Sequence, residues 1–155
     1  MERRPSDLAR LIAIALAIAG LALACDATGP QGAKEEALTL RTLSSGPATV
    51  GNAGLGSEID LIPGKFVLRR SYFHGSSGYL LSAVLVRRGL DTLLVEVRAR
   101  RSDSPGLATI WQHDYEAESP ATTPGSYHLS WWHVEQTLNK RTLILDTSIV
   151  IPASP

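Results

Sequence analysis

Asp91, Thr92, Leu93, Leu94, Val95, Glu96, Val97, Arg98, Ala99 and Arg100, in that order, form the stretch on which the fold turns. In an extended chain Leu93, Val95, Val97 and Ala99 fall on one side and Leu94, Glu96, Arg98 and Arg100 on the other, the period of two expected of a half-buried strand. Tyr79–Arg88 is a second β-rich run, joined to the first by the short Gly89-containing connection of a hairpin. Lys65–His74 leads in through Gly75, Ser76, Ser77 and Gly78, so three consecutive strands of a meander are expected here.

The same alternation continues outward. Residues 107–117 set Leu107, Thr109, Trp111, His113 and Tyr115 against Ala108, Ile110, Gln112, Asp114 and Glu116, with the aromatic side expected to face the core. Residues 126–134 and 141–151 add two strands, separated by a hairpin loop at 135–140 that contains Asn139. Residues 59–62 complete about seven strands, and residues 37–43 read as either a first edge strand or linker. Many short strands, Gly and Pro turns and no helical stripe predict an all-β fold. The expectation is a single antiparallel β-sandwich over residues 58–155, with a small lipocalin-like barrel as the alternative. Glu96, Arg98 and Arg100 on one strand face oppose a lipid-facing barrel.

The run Pro124, Gly125, Ser126, Tyr127, His128, Leu129 resembles the entry to the penultimate strand of immunoglobulin-like and fibronectin-like domains. The resemblance implies an immunoglobulin-like sandwich in which Tyr127 bonds back across the corner. It carries architecture only, because such sandwiches host unrelated functions.

At the other end of the chain, Arg3, Arg4 and Arg10 precede an uninterrupted apolar run over residues 11–24, the pattern of an export signal at 1–24. As a helix this run would reach roughly 21 Å, short of the roughly 30 Å hydrocarbon core of a membrane. It ends Leu21, Ala22, Leu23, Ala24, Cys25, which resembles the lipobox of bacterial lipoproteins, with Ala22 where Leu is usual. The resemblance implies a diacylglyceryl group on Cys25, cleavage between Ala24 and Cys25, and tethering to a membrane on the exported side of the envelope. Ala22 and Ala24 also fit the AxA site of general signal peptidase, which would leave Cys25 unmodified. Cys25 is the only cysteine of the chain, and its position at the end of the run favours lipidation. Asp26 resembles an inner-membrane retention signal of some lipoproteins, a rule that varies between lineages and leaves the leaflet open. Residues 25–57 read as the lipidated cysteine and mostly linker, on the strength of Thr28, Gly29, Pro30, Gln31, Gly32 and a second loose stretch at 44–57.

Composition bounds the function classes. The 155 residues carry a formal net charge of +0, are 44% hydrophobic and 19% charged, and fit one globular domain. A neutral chain lacks the field that recruits nucleic acid, which is not an expected partner. One cysteine permits neither an internal disulfide framework nor a thiolate zinc cluster.

Four histidines, His74, His113, His128 and His133, show no metal-ligand spacing, and no metal or other cofactor is expected. His128 and His133 are five apart and so lie on opposite faces of one strand, while His113 reads as a hydrogen-bonded core residue. Asp114, Glu116 and Glu118 share a face, but alternate strand residues stand roughly 6.5–7 Å apart and diverge, which suits a solvated face better than calcium. Trp131 and Trp132 are adjacent and must point opposite ways. With Tyr127, Leu129 and Trp131 inward, Trp132 lies outside with His128 and Ser130. Trp132 and His128 are therefore the candidate interaction surface for a protein or glycan partner. No GxSxG, HExxH or phosphate-binding loop is present, and no catalytic residue is assigned. The expected function is a membrane-tethered envelope lipoprotein with a non-catalytic binding or structural domain. The alternatives are a small envelope hydrolase and a carrier of an apolar ligand.

Overall fold

Two sheets face each other across a core in which Trp131, Tyr115, Phe66, Leu68, Leu85 and Leu129 are wholly buried. The computed structural model describes residues 34–49, 51, 54–103 and 106–155. Cys25 and the expected export signal lie outside these residues. The described strands are β1 (Glu35–Ala37), β2 (Thr39–Pro47), β3 (Glu58–Ile62), β4 (Lys65–His74), β5 (Tyr79–Arg88), β6 (Thr92–Arg101), β7 (Trp111–Glu118), β8 (Gly125–Glu135) and β9 (Lys140–Ile151). They form a five-stranded sheet in the order β1-β5-β6-β8-β9 and a four-stranded sheet in the order β2-β7-β4-β3. The sheets stack as a sandwich and do not close into the alternative barrel.

The alternation seen in the sequence holds on the core side. Leu93, Val95, Val97 and Ala99 of β6 are buried, as are Leu129 and Trp131 of β8. Leu94 and Glu96, on the opposite side of β6, are nearly as covered because β6 lies between β5 and β8 and arginines lie over Glu96. Tyr127 makes the expected corner: its hydroxyl donates to the Thr123 carbonyl at 2.8 Å. The 135–140 connection is a hairpin loop, with a 3-10 turn at Gln136–Leu138 and Asn139 left-handed at φ 49°.

Four expectations need correction. First, the meander ends after one hairpin: β5 and β6 pair, but the turn after His74 carries the chain across to the other sheet. A four-residue connection can close a hairpin or arch between layers, and strand periodicity cannot distinguish the two. Second, β6 and β8 run parallel, with Val95 beside Trp131, because β7 crosses in the opposite sheet between them; the remaining pairings are antiparallel. Third, the strand expected at 107–117 begins at Trp111, and Leu107 and Ile110 are exposed.

The fourth correction concerns residues 25–57, read as mostly linker with 37–43 open between an edge strand and linker: the segment supplies two strands, and 37–43 falls largely in an edge strand. β1 pairs with β5, Glu35 opposite Val86, and β2 pairs with β7, Thr39 opposite Glu118. Between them the chain changes sheets at Leu38, whose side chain is buried and whose N–H donates to the Ala83 carbonyl at 3.0 Å. Leu38, with the partly buried Leu40 packed against the same core, thus ties the N-terminal segment into it. β2 is an edge strand with an irregular register at Leu43 and a terminal Pro47, features that discourage pairing by another chain.

Leu38→Ala is expected to lower stability to urea by about 2–5 kcal/mol, the cost of truncating a buried leucine. A change within about 0.5 kcal/mol, the range of surface substitutions, would mean that the segment does not belong to the core.

Candidate functional site

The outward side of β8 carries both residues expected to form an interaction surface. His128 lies beside Asp146, Nε2 to carboxylate oxygen 2.9 Å, and the Ser130 hydroxyl donates to the same carboxylate at 2.6 Å. These two contacts hold the Asp146 carboxyl below its usual range, the Ser130 hydrogen bond foremost. Trp132 is half-buried, with the Arg141 guanidinium 5.1 Å from its ring centroid. Arg141 also binds Glu96 at 2.5 Å, Arg98 binds Glu96 at 2.7 Å, and Arg98 reaches Glu35 at 2.8 Å. A ladder of charges therefore crosses the sheet from β1 to β9 and ends on the tryptophan. His128 and Trp132 share this face, but four residues of strand, about 13 Å, separate them.

On the opposite sheet the three carboxylates of β7 each have a protein partner. Glu116 accepts from Arg41 at 2.9 Å and Arg69 at 2.7 Å, Glu118 pairs with Lys65 at 2.5 Å, and Asp114 accepts from Ser44, Ser71 and Gln112. They diverge along the strand, as their spacing required.

Sequence reasoning missed a cluster between the sheets, at the end where β4 and β8 finish and β5 and β7 begin. His74 stacks on Tyr79 with ring centroids 4.5 Å apart and planes 10° from parallel. Tyr72 packs edge-on to both His74, at 4.3 Å, and His133, at 4.1 Å. His113 approaches His74 at 5.2 Å, and the Tyr115 hydroxyl lies 2.6 Å from Nε2 of His133. His113 is only partly the satisfied core residue expected: Nδ1 meets the Ser45 hydroxyl at 3.1 Å, while the Nε2 atoms of His113 and His74 have no hydrogen-bond partner. Three imidazoles from β4, β7 and β8 thus gather, although among the described residues no three ligand side chains are arranged to hold a metal ion.

Burial sets the protonation of this cluster. It lowers His74 to about 4, with the neighbouring His113 adding to the effect, and His133 to about 3, with Arg70 and His74 adding. Burial also lowers His113, against the pull of Asp114, and raises Tyr72 to about 12. At neutral pH the cluster is an uncharged aromatic plug.

The plug borders a cleft of about 430 Å³ lined by Phe73, His74, Tyr79, Arg101, Gly106 and Glu135. Across Glu135 and Phe73 lies a smaller cleft of about 250 Å³, reached by Arg70, Tyr72, His133 and Lys140. The Tyr79 hydroxyl donates to Glu135 at 2.9 Å, a bond that raises the tyrosine and fixes the carboxylate between the two spaces. The sequence signals for this site were that His74, His113 and His133 occupy strand positions and that His113 and His133 fall on the inward faces of theirs. The register that sets Tyr72 opposite His113 could not be read from them.

Comparison with protein-family models, with curated proteins and with solved structures gives no match.

Histidines that are neutral when folded and ordinary when unfolded make stability fall as pH drops. It is complete above pH ~6.5 and is lost as the pH falls from there toward about 4 for His74. Urea unfolding is expected to show a loss on the order of 4 kcal/mol between pH 7 and pH 5, about 2 from each of His74 and His133, before most carboxylates titrate. A midpoint that is flat across this window would contradict the buried cluster. Tyr115→Phe, which strands His133 Nε2, is expected to cost about 1–3 kcal/mol at pH 7 in the same assay.

Proposed function

We propose that the protein is a lipid-anchored component of a bacterial envelope, held on the exported side through Cys25, whose sandwich domain recognises a partner rather than catalysing a reaction. The observation that carries the binding reading is the cleft of about 430 Å³ beside Tyr79 and Glu135. Tyr79 and the exposed Phe73 supply apolar faces, while Arg101 and Glu135 supply charged ends, a combination suited to a polar ligand with an apolar face, such as a glycan. The groups beside it are built for recognition more than for proton transfer. His74 is stacked and neutral, and Glu135 already accepts from Tyr79. The core is filled by Trp131, Tyr115 and Phe66, which removes support from the apolar-carrier reading.

Trp132 and His128 supply a second reading, a protein partner laid against the outer face of the five-stranded sheet. The Arg141 guanidinium over Trp132 favours it, because a ring and a cation already aligned are ready to be buried together.

Radiolabelled palmitate is expected to follow the wild-type protein and to be lost from Cys25→Ala; an unlabelled wild type would overturn the anchor. Envelope glycan fragments are expected to show saturation-transfer signals with the intact protein. Phe73→Ala and Arg101→Ala should each weaken binding about tenfold and Trp132→Ala should leave it unchanged. Absence of any glycan signal would overturn the ligand class. Loss with Trp132→Ala alone would move the site to the sheet face.

A further inference from the structure

The strand directions divide the sandwich into two ends, and the N-terminal segment emerges at one of them. β1 begins at Glu35 opposite Val86, so Lys34 lies next to the tip of the β5–β6 hairpin, formed by Gly89, Leu90 and Asp91. Leu90 is 98% exposed, the most exposed large apolar residue described. Gly89, at φ 67°, turns the chain so that Leu90 stands at the apex, and Arg88 and Lys34 flank it in solvent.

The same end carries a second apolar projection. Leu61 and Ile62, both 39% exposed, lead into the β3–β4 turn at Pro63 and Gly64. Hydrogen bonds join the two tips into one platform. Arg87 donates to the Thr122 hydroxyl at 3.1 Å, the Thr122 N–H donates to the Gly64 carbonyl at 2.7 Å, and the Gly64 N–H donates to the Pro152 carbonyl at 3.0 Å.

Only the nine residues from Asp26 to Lys34 separate Cys25 from β1. Fully extended they span at most about 30 Å, and any slack brings the platform closer to whatever holds Cys25. We propose that this end of the sandwich rests on the bilayer, with Leu90 entering the interfacial layer and Arg88 and Lys34 facing headgroup phosphates. The inference rests on lipidation of Cys25. It supplies the second attachment signal that strengthens lipid anchoring, and the two cations suit an anionic leaflet. Asp91, Glu35 and Glu36 are the acidic groups near the tip; Arg98 holds Glu35 and Arg87 pairs with Glu36, which lines a cleft together with Leu90, so Asp91 remains as the main opposing charge. The tyrosine-lined cleft lies at the far end of the strands, turned away from the membrane.

The test uses the intact lipidated protein in vesicles of phosphatidylethanolamine and phosphatidylglycerol, with a nitroxide on Leu90→Cys or, at the opposite end, on Leu138→Cys. Cys25, as a thioether, does not react with the label. Both leucines are exposed, so neither change disturbs packing. The label at 90 is expected to be relaxed by oxygen about threefold more than by a water-soluble nickel chelate, relative to the label at 138. Palmitate incorporation with equal nickel access at both sites would overturn the membrane contact and leave the anchor intact. Absence of palmitate would overturn the anchor and this proposal together.

Discussion

The packing of Trp131 against Tyr115 is the interaction on which the remaining structure depends. The two rings come from opposite sheets, meet edge to face at 6.3 Å and are wholly buried. No disulfide can staple Lys34–Pro155, so the layers stay together through such packing and the few hydrogen bonds between them. The polar cluster inherits its position from them. His133 is two residues beyond Trp131 on the same face of β8, and its Nε2 meets the hydroxyl of Tyr115. The aromatic core thus fixes the base of the plug, and the plug in turn forms a wall of the cleft.

Much of the layering was legible because a strand buries alternate residues whatever its neighbours are. Leu93, Val95, Val97 and Ala99 faced inward as their spacing required, and so did Trp131 with Trp132 outside. Neighbour relations were not legible, because they depend on how each connection crosses the layers. The parallel pairing of β6 with β8 and the arch after His74 leave no mark on the period. Leu38 and Leu40 alternate within 37–43, but so short a run left edge strand and linker open and could not show that the chain changes sheets at Leu38. The outward position of Trp132 could be read from its adjacency to Trp131 and from the inward set Tyr127, Leu129 and Trp131, whereas the histidine cluster required three distant strands to be brought into register.

Both outer faces neutralise a carboxylate on a central strand with two arginines. Glu96 sits between Arg98 and Arg141, and Glu116 between Arg41 and Arg69. Pairs of this kind add little net stability, since desolvating the charges offsets their attraction. Their value lies in geometry. Arg41 joins edge strand β2 to β7, and Glu35, through Arg98, joins edge strand β1 to β6, so a slipped register would leave half-covered charges unpaired.

β1 and β2 form one extended run that enters at the hairpin-tip end and heads toward the cleft end, changing sheets at Leu38. A pull on Lys34 along the strands therefore meets the hydrogen bonds of both segments side by side, in shear, and cannot break them one after another as in opening a zipper. The buried Leu38 joins the two segments, so the load on one edge strand is shared with the other. Tension applied at Lys34 along the strand direction is therefore the load that this arrangement resists best.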